Sequence, residues 1–308
     1  MKIFATVVTY NRLPLLKECI EAIRKQTRPV DAIIVVNNGS TDGTTEWLNE
    51  QKDIIAIHQD NVGSGGGQNR AFKEAYYRQA DWIWTMDDDG YAQTNTLEKL
   101  IEAIQLKNDI RVINSVVIKK QDPSCNALCF PQHTFIKNKK YIFYTLAEIR
   151  KHTQEKIIEG VPNFFNSSLI HRSVVEQIGF PLKELFILGD EVEYNMRMMN
   201  ANIKMYVATE SLYLHPQNDF FFKFFHKNVY FPISENKLYY LTRNYTYIRK
   251  KYKCFSKAYS SNFFVTKLFI KLIILSLMKK VKFKDKFKII VKALKDSRHF
   301  APLTENVI

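Results

Sequence analysis

A short apolar run that leads into three consecutive carboxylates is the feature that most constrains the fold of this chain. Residues 82–86 read Trp-Ile-Trp-Thr-Met, and Asp87, Asp88, Asp89 and Gly90 follow directly. An apolar run without polar alternation is typical of a strand that is buried on both faces, as in a parallel sheet. The acidic group would then lie at the carboxyl edge of that sheet, where open α/β sheets bind their ligands.

The three carboxylates also suggest a bound cation, because adjacent carboxylates repel one another unless positive charge lies among them. Asp87 and Asp89 are two residues apart, so one divalent cation can bridge them across a bent loop. Hard oxygen ligands favour Mg²⁺ or Mn²⁺, which proteins often share with substrate phosphates. The alternative interpretation is a solvated acidic turn.

Strand and helix patterns alternate through the first part of the chain. This alternation predicts right-handed βαβ units and a parallel sheet flanked by helices, with the polar loops that follow the strands meeting at one edge. The predicted strands are Lys2–Thr9, Asp31–Val36, Asp53–His58, Asp81–Met86, Ile110–Ile118, Pro162–Ile170 and Ile203–Ala208. The helices predicted between them include Leu13–Gln26, Asn95–Lys107 and Ser173–Ile178, whereas residues 119–159 show no clear period.

Positive charge is concentrated in the C-terminal part of the chain. The 308 residues carry a formal net charge of +14, and the segment from Asp219 onward has 20 Lys and Arg against 5 Asp and Glu. The near-neutral remainder argues against nucleic acid binding by the whole protein and favours a basic surface-binding segment. Lys267 and Lys271 interrupt the apolar run Phe263–Met278, which is short for a bilayer span but suits a helix in the membrane interface. An ordinary packing helix with snorkelling lysines is the alternative.

Two further patterns each leave a structural alternative open. The glycines of residues 63–67 do not form a dinucleotide fingerprint, because Gln68 stands where the third glycine is needed. They could let the backbone approach a ligand closely, or they could form a flexible turn. Asp190 and Glu191 lie at a predicted helix N-terminus, where carboxylates are favoured even without a catalytic role. The four cysteines, at 19, 125, 129 and 254, show neither zinc spacing nor a disulfide framework, which predicts reduced thiols.

Taken together, these segments resemble the family 2 glycosyltransferases of the GT-A fold, and within them the galactofuranosyl- and rhamnosyltransferase-like branch. V-V-T-Y-N-R, N-N-G-S-T-D-G-T, N-V-G-S-G-G-G, D-D-D and G-D-E-V-E-Y-N-M-R occur in the family's order. The resemblance covers about residues 3–216, with a looser echo around Leu241–Asn244. It implies an α/β fold of GT-A type, with a mostly parallel, Rossmann-like sheet. We expect a catalytic domain over 1–216 and a helical, Lys-rich, membrane-associating or acceptor-side extension over 217–308.

The resemblance also implies roles for the matching residues. Glu191 would be the catalytic base and Asp190 would orient the acceptor, with Glu193 and Arg197 supporting their helix. The metal, Mn²⁺ or Mg²⁺, would be held by Asp87, Asp89 and His215. The donor would be bound by Thr9, Tyr10, Asn11, Arg12, Asn37, Gly66, Gly67, Asp87 and Asp88. The family usually has Asp where this chain has Asn37 and Glu191, so the base of the nucleotide and the identity of the catalytic base stay open.

The implied activity is an inverting, metal-dependent transfer from a nucleoside-diphosphate sugar, with a UDP-sugar as the first candidate. The acceptor would be a hydroxyl of a glycan, in particular a lipid-linked one, in cell-surface polysaccharide synthesis. The C-terminal helices would bind the anionic inner face of the cell membrane, which predicts a cytoplasmic, peripheral protein with no nucleic acid partner. The alternatives are a sugar nucleotidyltransferase, or a non-enzymatic protein that binds nucleic acid or a partner through its basic segment.

Overall fold

The computed structural model describes residues 1–136, 139–216, 221–224, 227–231, 234–252 and 260–307, with backbone alone at 128–136, 139–142, 221–224 and 227–230. Strands and helices alternate in the first half, as the sequence predicts. The strands there are β1 (Ile3–Thr9), β2 (Ala32–Asn37), β3 (Ile54–His58), β4 (Trp82–Asp87) and β5 (Tyr91–Ala92). The helices are α1 (Leu13–Arg24), α2 (Thr44–Glu50), α3 (Gly63–Tyr77) and α4 (Thr96–Gln105).

The first four strands form the parallel part of the sheet, in the order β3-β2-β1-β4. Their side chains alternate between two apolar cores, one on each face, which explains why these strands lack polar alternation. Thr9 pairs with Asn37 and Val8 pairs with Asp87, so the carboxyl ends of β1, β2 and β4 lie at one edge. Two predictions are confirmed here: strands alternate with helices, and the polar loops that follow the strands meet at one edge of the sheet.

The second part of the sheet is mixed, so the parallel pairing predicted for most of the sheet holds for β1–β4 but not for most of the strands that extend it. Its strands are β6 (Val112–Lys119), β7 (Cys125–Ile136), β8 (Lys139–Thr145), β9 (Ile157–Val161), β10 (Asn166–His171) and β11 (Tyr206–His215). The helices between them are α5 (Leu146–His152), α6 (Arg172–Ile178), the 3₁₀ turn Lys183–Leu185 and α7 (Asp190–Asn200). Strand β10 lies antiparallel between β4 and β6, and the order continues β6-β11-β9-β7-β8, with β5 antiparallel to β11.

Two stretches differ from the predicted elements. Residues 119–159, where the sequence shows no period, form β7, β8, α5 and β9 and extend the sheet. The strand predicted to end at Ala208 continues to His215, with a shift in its register against β6 between Ala208 and Leu212. Such an irregularity interrupts the two-residue period on which strand prediction depends. The longer strand brings His215 to the edge that carries the acidic group.

Beyond β11, the described residues form the hairpin of β12 (Phe221–Phe224) and β13 (Lys227–Tyr230) and the helices α8 (Glu235–Lys251), α9 (Ser261–Leu277) and α10 (Phe283–Asp296). The predicted helical, basic extension is therefore present. Helix α8 packs on α7 through Met196 and Ile248, and α9 and α10 pack on α8 around Leu272 and Ile290. In the part of the chain that the structure describes, we find no helix with both the length and the apolar character needed to cross a membrane.

The segment after α10 returns to the first half of the chain. The Glu305 carboxylate accepts hydrogen bonds from Lys183 Nζ (2.6 Å) and Asn69 Nδ2 (3.1 Å), and it pairs with Lys73. Val307 packs against the apolar core on the same face of the sheet. The N-terminal part and the C-terminal extension therefore share a contact surface, and the domain boundary at residue 216 remains a prediction.

Candidate active site

The three aspartates lie at the end of β4, with Arg12 and Thr9 from the end of β1 beside them. Thr9 Oγ1 donates a hydrogen bond to Asp88 Oδ2 at 2.7 Å. Arg12 Nη1 lies 3.1 Å from Asp88 Oδ1 and 2.9 Å from Asp89 Oδ2. Asp88 is buried, so these donors stabilise a carboxylate that has lost most of its water. The half-exposed Arg12 guanidinium places one positive charge beside Asp88 and Asp89, whereas the divalent cation expected at Asp87 and Asp89 stays a prediction.

His215 reaches the same group from the end of β11. Its Nδ1 lies 2.7 Å from the Pro216 carbonyl oxygen, which can only accept, so Nδ1 carries a hydrogen. Its Nε2 lies 3.3 Å from Asp89 Oδ1. Burial alone would lower the pKa of His215, but the Asp89 carboxylate raises it above its usual value. A proton or a metal cation between Nε2 and Oδ1 is needed to make this approach favourable.

The donor set fits a divalent cation in its chemistry, although the complete ligand set is not assembled. Among the described residues Asp89 Oδ1 is one of the buried oxygens without a hydrogen bond. Its 3.3 Å separation from His215 Nε2 is near the distance of about 3 Å between adjacent ligands of an octahedral cation. However, the described part of the chain contains no group of three His, Cys, Asp or Glu side chains positioned to hold a metal. The roles of Asp87, Asp89 and His215 as ligands therefore stay a prediction.

The charge of Asp87 interacts with the second acidic group, Asp190 and Glu191. Gln68 Nε2 lies 3.4 Å from Asp87 Oδ1, and Tyr213 Oη donates to the Asp87 carbonyl oxygen at 3.3 Å. Burial raises the pKa of the Asp87 carboxyl well above its usual value, and the charges of Asp89 and Asp88 raise it further. Any added positive charge nearby would therefore stabilise the ionised form of Asp87.

Asp190 and Glu191 lie in the first turn of α7, and α3 contacts both acidic groups, since Ser64 bonds to Asp190 and Gln68, one turn later, lies beside Asp87. Ser64 Oγ, in the first turn of α3, donates to Asp190 Oδ2 at 2.8 Å. The pKa of Glu191 lies well above its usual value. Burial is the largest cause, the Asp190 charge is the next, and the Asp87 charge adds a weaker effect. The two acidic groups, far apart in sequence, are therefore close enough for their charges to interact.

Residues of the two loops after β1 and β2 are bonded to each other. Asn11 has a φ of 52°, and its Oδ1 accepts from the Thr41 amide at 2.7 Å. The Asn37 amide is committed within the protein: Nδ2 donates to Thr45 Oγ1 (2.8 Å), and Oδ1 accepts from the Ser40 amide (3.0 Å). Contact of Asn11 and Asn37 with a nucleotide stays a prediction. Asn37 Oδ1 has a second lone pair, which could accept a hydrogen bond from an N–H group of the base.

Tyr10, Gly66 and Gly67 lie at the same edge. The Tyr10 side chain is 45% exposed, which leaves its ring accessible to a ligand. A Cβ atom at Gly66 would lie 2.5 Å from Val62 Cγ2, and one at Gly67 would overlap the Val8 side chain. Both positions therefore need glycine for packing inside the protein, Gly66 against Val62 and Gly67 against Val8 of β1. Contact of these glycines with a donor stays a prediction.

Some residues of the site were missed in the sequence. Ser64, Gln68 and Tyr213 bond to Asp190 or Asp87, but Ser, Gln and Tyr are too common to mark such a role alone. Asn244 on α8 donates to backbone carbonyl oxygens of the loop at residues 185–188, just before Asp190. The one sequence signal for it is the echo of the family pattern around Leu241–Asn244.

Comparison with known proteins agrees with this geometry. The model of the family "Glycosyl transferase family 2" matches residues 5–179. Galactofuranosyltransferase GlfT1 of Mycobacterium tuberculosis is 30% identical over 218 residues, which cover 70% of this chain and 70% of that protein. The O-antigen chain rhamnosyltransferase RfbN of Salmonella typhimurium is 27% identical over 225 residues, 71% of this chain and 67% of that protein.

A solved structure shows the same fold. Residues 1–349 of S. aureus TarS, in complex with UDP-GlcNAc, superpose with a TM-score of 0.59 at 18% identity, covering 96% of this chain and 80% of that one. The predicted GT-A fold and the predicted branch of the family are both confirmed. The chain belongs to glycosyl transferase family 2, within its galactofuranosyl- and rhamnosyltransferase-like branch, and is a glycosyltransferase.

Proposed function

We propose that this enzyme transfers a sugar from a nucleoside-diphosphate sugar to a hydroxyl group of a glycan acceptor, with inversion at the anomeric carbon. The observation that carries the proposal is the meeting of the two acidic groups at one edge of the sheet, where the Asp87 charge contributes to the raised pKa of Glu191. A UDP-sugar is the first donor to test, because the TarS structure with the same fold contains UDP-GlcNAc. The names of the relatives point to polysaccharide synthesis.

In the proposed reaction Glu191 acts as the general base. Its ionised carboxylate takes the proton of the acceptor hydroxyl while that oxygen attacks the anomeric carbon from the face opposite the diphosphate. The bond to the diphosphate breaks, and the departing oxygen keeps its electron pair. A positioned base contributes about 10² to 10⁴ in rate. Its raised pKa makes Glu191 a stronger base than an ordinary carboxylate in water, which suits this role.

The aspartate group would bind the donor diphosphate. Arg12 is half exposed and lies against Asp88 and Asp89, so it can turn a positive charge toward an incoming phosphate. Asp87, Asp89 and His215 would hold Mn²⁺ or Mg²⁺, which when bound would neutralise charge on the leaving diphosphate. Asp190, held by Ser64, would orient the acceptor.

The experiment that tests this function measures release of nucleoside diphosphate from a panel of nucleotide sugars, with a lipid-linked glycan acceptor. We expect UDP release that depends on the acceptor, and a loss of about 10² or more in kcat for Glu191→Gln with donor affinity retained. Glu184→Gln, in the preceding 3₁₀ turn, is the matched control and should keep wild-type turnover. Normal turnover in Glu191→Gln would remove the base assignment, and release of pyrophosphate would identify a nucleotidyltransferase.

The metal proposal needs a measurement that does not depend on turnover. We expect calorimetric UDP binding to be stronger with Mn²⁺ than without it, and Asp89→Ala to abolish that difference. Glu102→Ala, an exposed carboxylate far from the site, should keep it. Equal UDP affinity with and without Mn²⁺ in the wild-type protein would reject the metal site.

We also propose that α9 and α10 dock on an anionic membrane, which would make the protein cytoplasmic and peripheral on the inner face of the cell membrane. One face of these helices packs on α8, whereas apolar side chains on the other face are exposed, among them Ile270, Leu277 and Phe287. Exposed lysines, including Lys284 and Lys288, alternate with them. Each lysine near an anionic surface contributes about 1 kcal/mol to binding.

Co-sedimentation with liposomes tests the membrane proposal. We expect binding to vesicles that contain phosphatidylglycerol, weaker binding at high salt, and little binding to pure phosphatidylcholine. The double variant Lys284→Glu/Lys288→Glu should bind more weakly, while Lys52→Glu, exposed elsewhere, should not. Binding that is insensitive to salt and lipid charge would refute the docking role.

A further inference from the structure

The loop that leads into α7 has an unusual backbone. Phe186 and Leu188 have φ values of 64°, and Gly189 has a φ of 99°. Residues with a side chain rarely adopt this left-handed region and persist there only where the surroundings hold them. Asp190 and Glu191 follow immediately, so the conformation of residues 185–189 sets where both carboxylates lie.

Asn244 of α8 makes most of the side-chain hydrogen bonds that hold this loop, and Arg243 beside it donates from Nη2 to the Glu184 carbonyl oxygen at 2.7 Å. Asn244 is fully buried, and its Nδ2 donates to the carbonyl oxygens of Leu185 (2.8 Å), Ile187 (3.1 Å) and Leu188 (2.8 Å). Its Oδ1 accepts from Arg243 Nε at 2.9 Å, so the amide is oriented with its donors toward the loop. The Leu185 carbonyl oxygen also accepts from the Ile187 amide at 2.8 Å, whereas Asn244 supplies a side-chain donor to the Ile187 and Leu188 carbonyl oxygens of this turn.

Helix α3 holds the opposite side of the loop. The Gly65 amide donates to the Phe186 carbonyl oxygen at 3.0 Å, and Ser64 Oγ donates to Asp190. A Cβ atom at Gly63 would overlap the Phe186 backbone, which shows how closely α3 approaches. The loop is therefore clamped between the first turn of α3 and Asn244.

We infer that Asn244 is a positioning residue for the proposed reaction: it fixes residues 185–189 so that Asp190 and Glu191 face Asp87. This inference rests on the proposed function. If Asn244 has this role, then α8, in the predicted extension beyond residue 216, helps to position the catalytic residues. Asn244 is fully buried behind the loop, so we expect it to contact neither donor nor acceptor, and its removal should lower kcat and leave nucleotide affinity intact.

The test combines kinetics with hydrogen exchange of the full-length protein. For Asn244→Ala we expect kcat to fall by about 10², as for a 1 Å misplacement of a reacting group, with UDP affinity by calorimetry within about twofold of wild type. The amides of residues 185–191 should exchange faster while those of β1 and β4 stay protected. Thr242→Val is the matched control, because Thr242 is also buried on α8 and its hydroxyl donates to the Leu238 carbonyl oxygen of its own helix.

A milder variant covers the case in which Asn244→Ala does not fold. Arg243→Lys keeps the charge but removes the Nε–H that orients the Asn244 amide and the Nη2 bonds to the Glu184 and Leu185 carbonyl oxygens. It should therefore loosen the same loop and show the same pattern at smaller size. A folded Asn244→Ala with kcat within about threefold of wild type, or with faster exchange spread evenly over the sheet, would overturn the inference. The exchange measurement needs no turnover, so it separates failure of this inference from failure of the proposed glycosyl transfer, which would leave the wild-type enzyme inactive as well.

Discussion

The contacts of Glu305 allow a quantitative prediction for stability. Burial alone would raise the pKa of this carboxyl, but hydrogen bonds from Lys183, Lys73 and Asn69 lower it from 4.5 to about 2. A difference of that size corresponds to about 3 kcal/mol between the folded and unfolded states. The side chain is 31% exposed, so solvent screening reduces the expected contribution to roughly 1–2 kcal/mol.

The perturbation is Glu305→Gln, which removes the charge and keeps the shape of the side chain. We expect the free energy of unfolding in urea, followed by tryptophan fluorescence, to drop by roughly 1–2 kcal/mol at pH 7. Because the folded-state pKa is depressed, this stabilisation is present above about pH 4.5 and is lost as the pH falls toward 2. The difference between wild type and variant should therefore shrink below about pH 4.5.

Glu18→Gln is the matched control, since its ion pair with Lys120 is exposed. Such a pair contributes about 0–1 kcal/mol, so this variant should change stability little. If Glu305→Gln is no less stable than Glu18→Gln, or if its loss of stability is the same at pH 7 and pH 3.5, the charge-assisted contact is not what holds this segment.

Three further predictions follow from the site and its packing. Burial, followed by the charge of Asp190, raises the pKa of Glu191. We therefore expect kcat/KM to increase with pH, with a midpoint above pH ~4.3, the usual pKa of Glu, and Asp190→Asn should lower that midpoint. An unchanged midpoint would exclude Glu191 as the titrating group. Gly90→Ala would place a Cβ about 2.5 Å from Tyr213 Oη, so we expect a loss of about 1–3 kcal/mol in urea unfolding and reduced turnover, and wild-type values would contradict the described turn. Removal of all residues after 216 would expose Leu182, Leu185 and Met196, so size-exclusion chromatography should show aggregation, and a monodisperse fragment of wild-type thermal stability would show that 1–216 folds alone.

The sequence identified the parallel part of the fold because local and tertiary signals coincide there. Strands β1 and β4 are buried on both faces and are flanked by polar turns, so their apolar runs read directly as strands. Strand β11 was harder to predict, because its register shift after Ala208 interrupts the period and hides the seven residues that carry His215 to the site. Residues 119–159 form strands at the outer side of the sheet without a regular pattern, so tertiary pairing decides their structure.

The site divides in the same way. Asp87–Asp89 and Asp190–Glu191 stand out because adjacent carboxylates need a physical reason, and the structure brings both groups to one edge. The residues that hold them do not stand out. Ser64, Gln68 and Asn244 act through single hydrogen bonds or through backbone carbonyl groups, and nothing in their spacing shows which loop they reach. The positive φ values at Phe186 and Leu188 are also invisible in sequence, since neither residue type favours them.

The return of residues 304–307 to α3 has a consequence for biosynthesis. Asn69 and Glu305 are separated by 236 positions, so at the usual speed of translation α3 leaves the ribosome roughly 10–50 s before this partner is made. During that interval the apolar site that later receives Val307 is open to water or to chaperones. The contact between Glu305 and α3 can therefore form only after helices α1 to α10 have been translated.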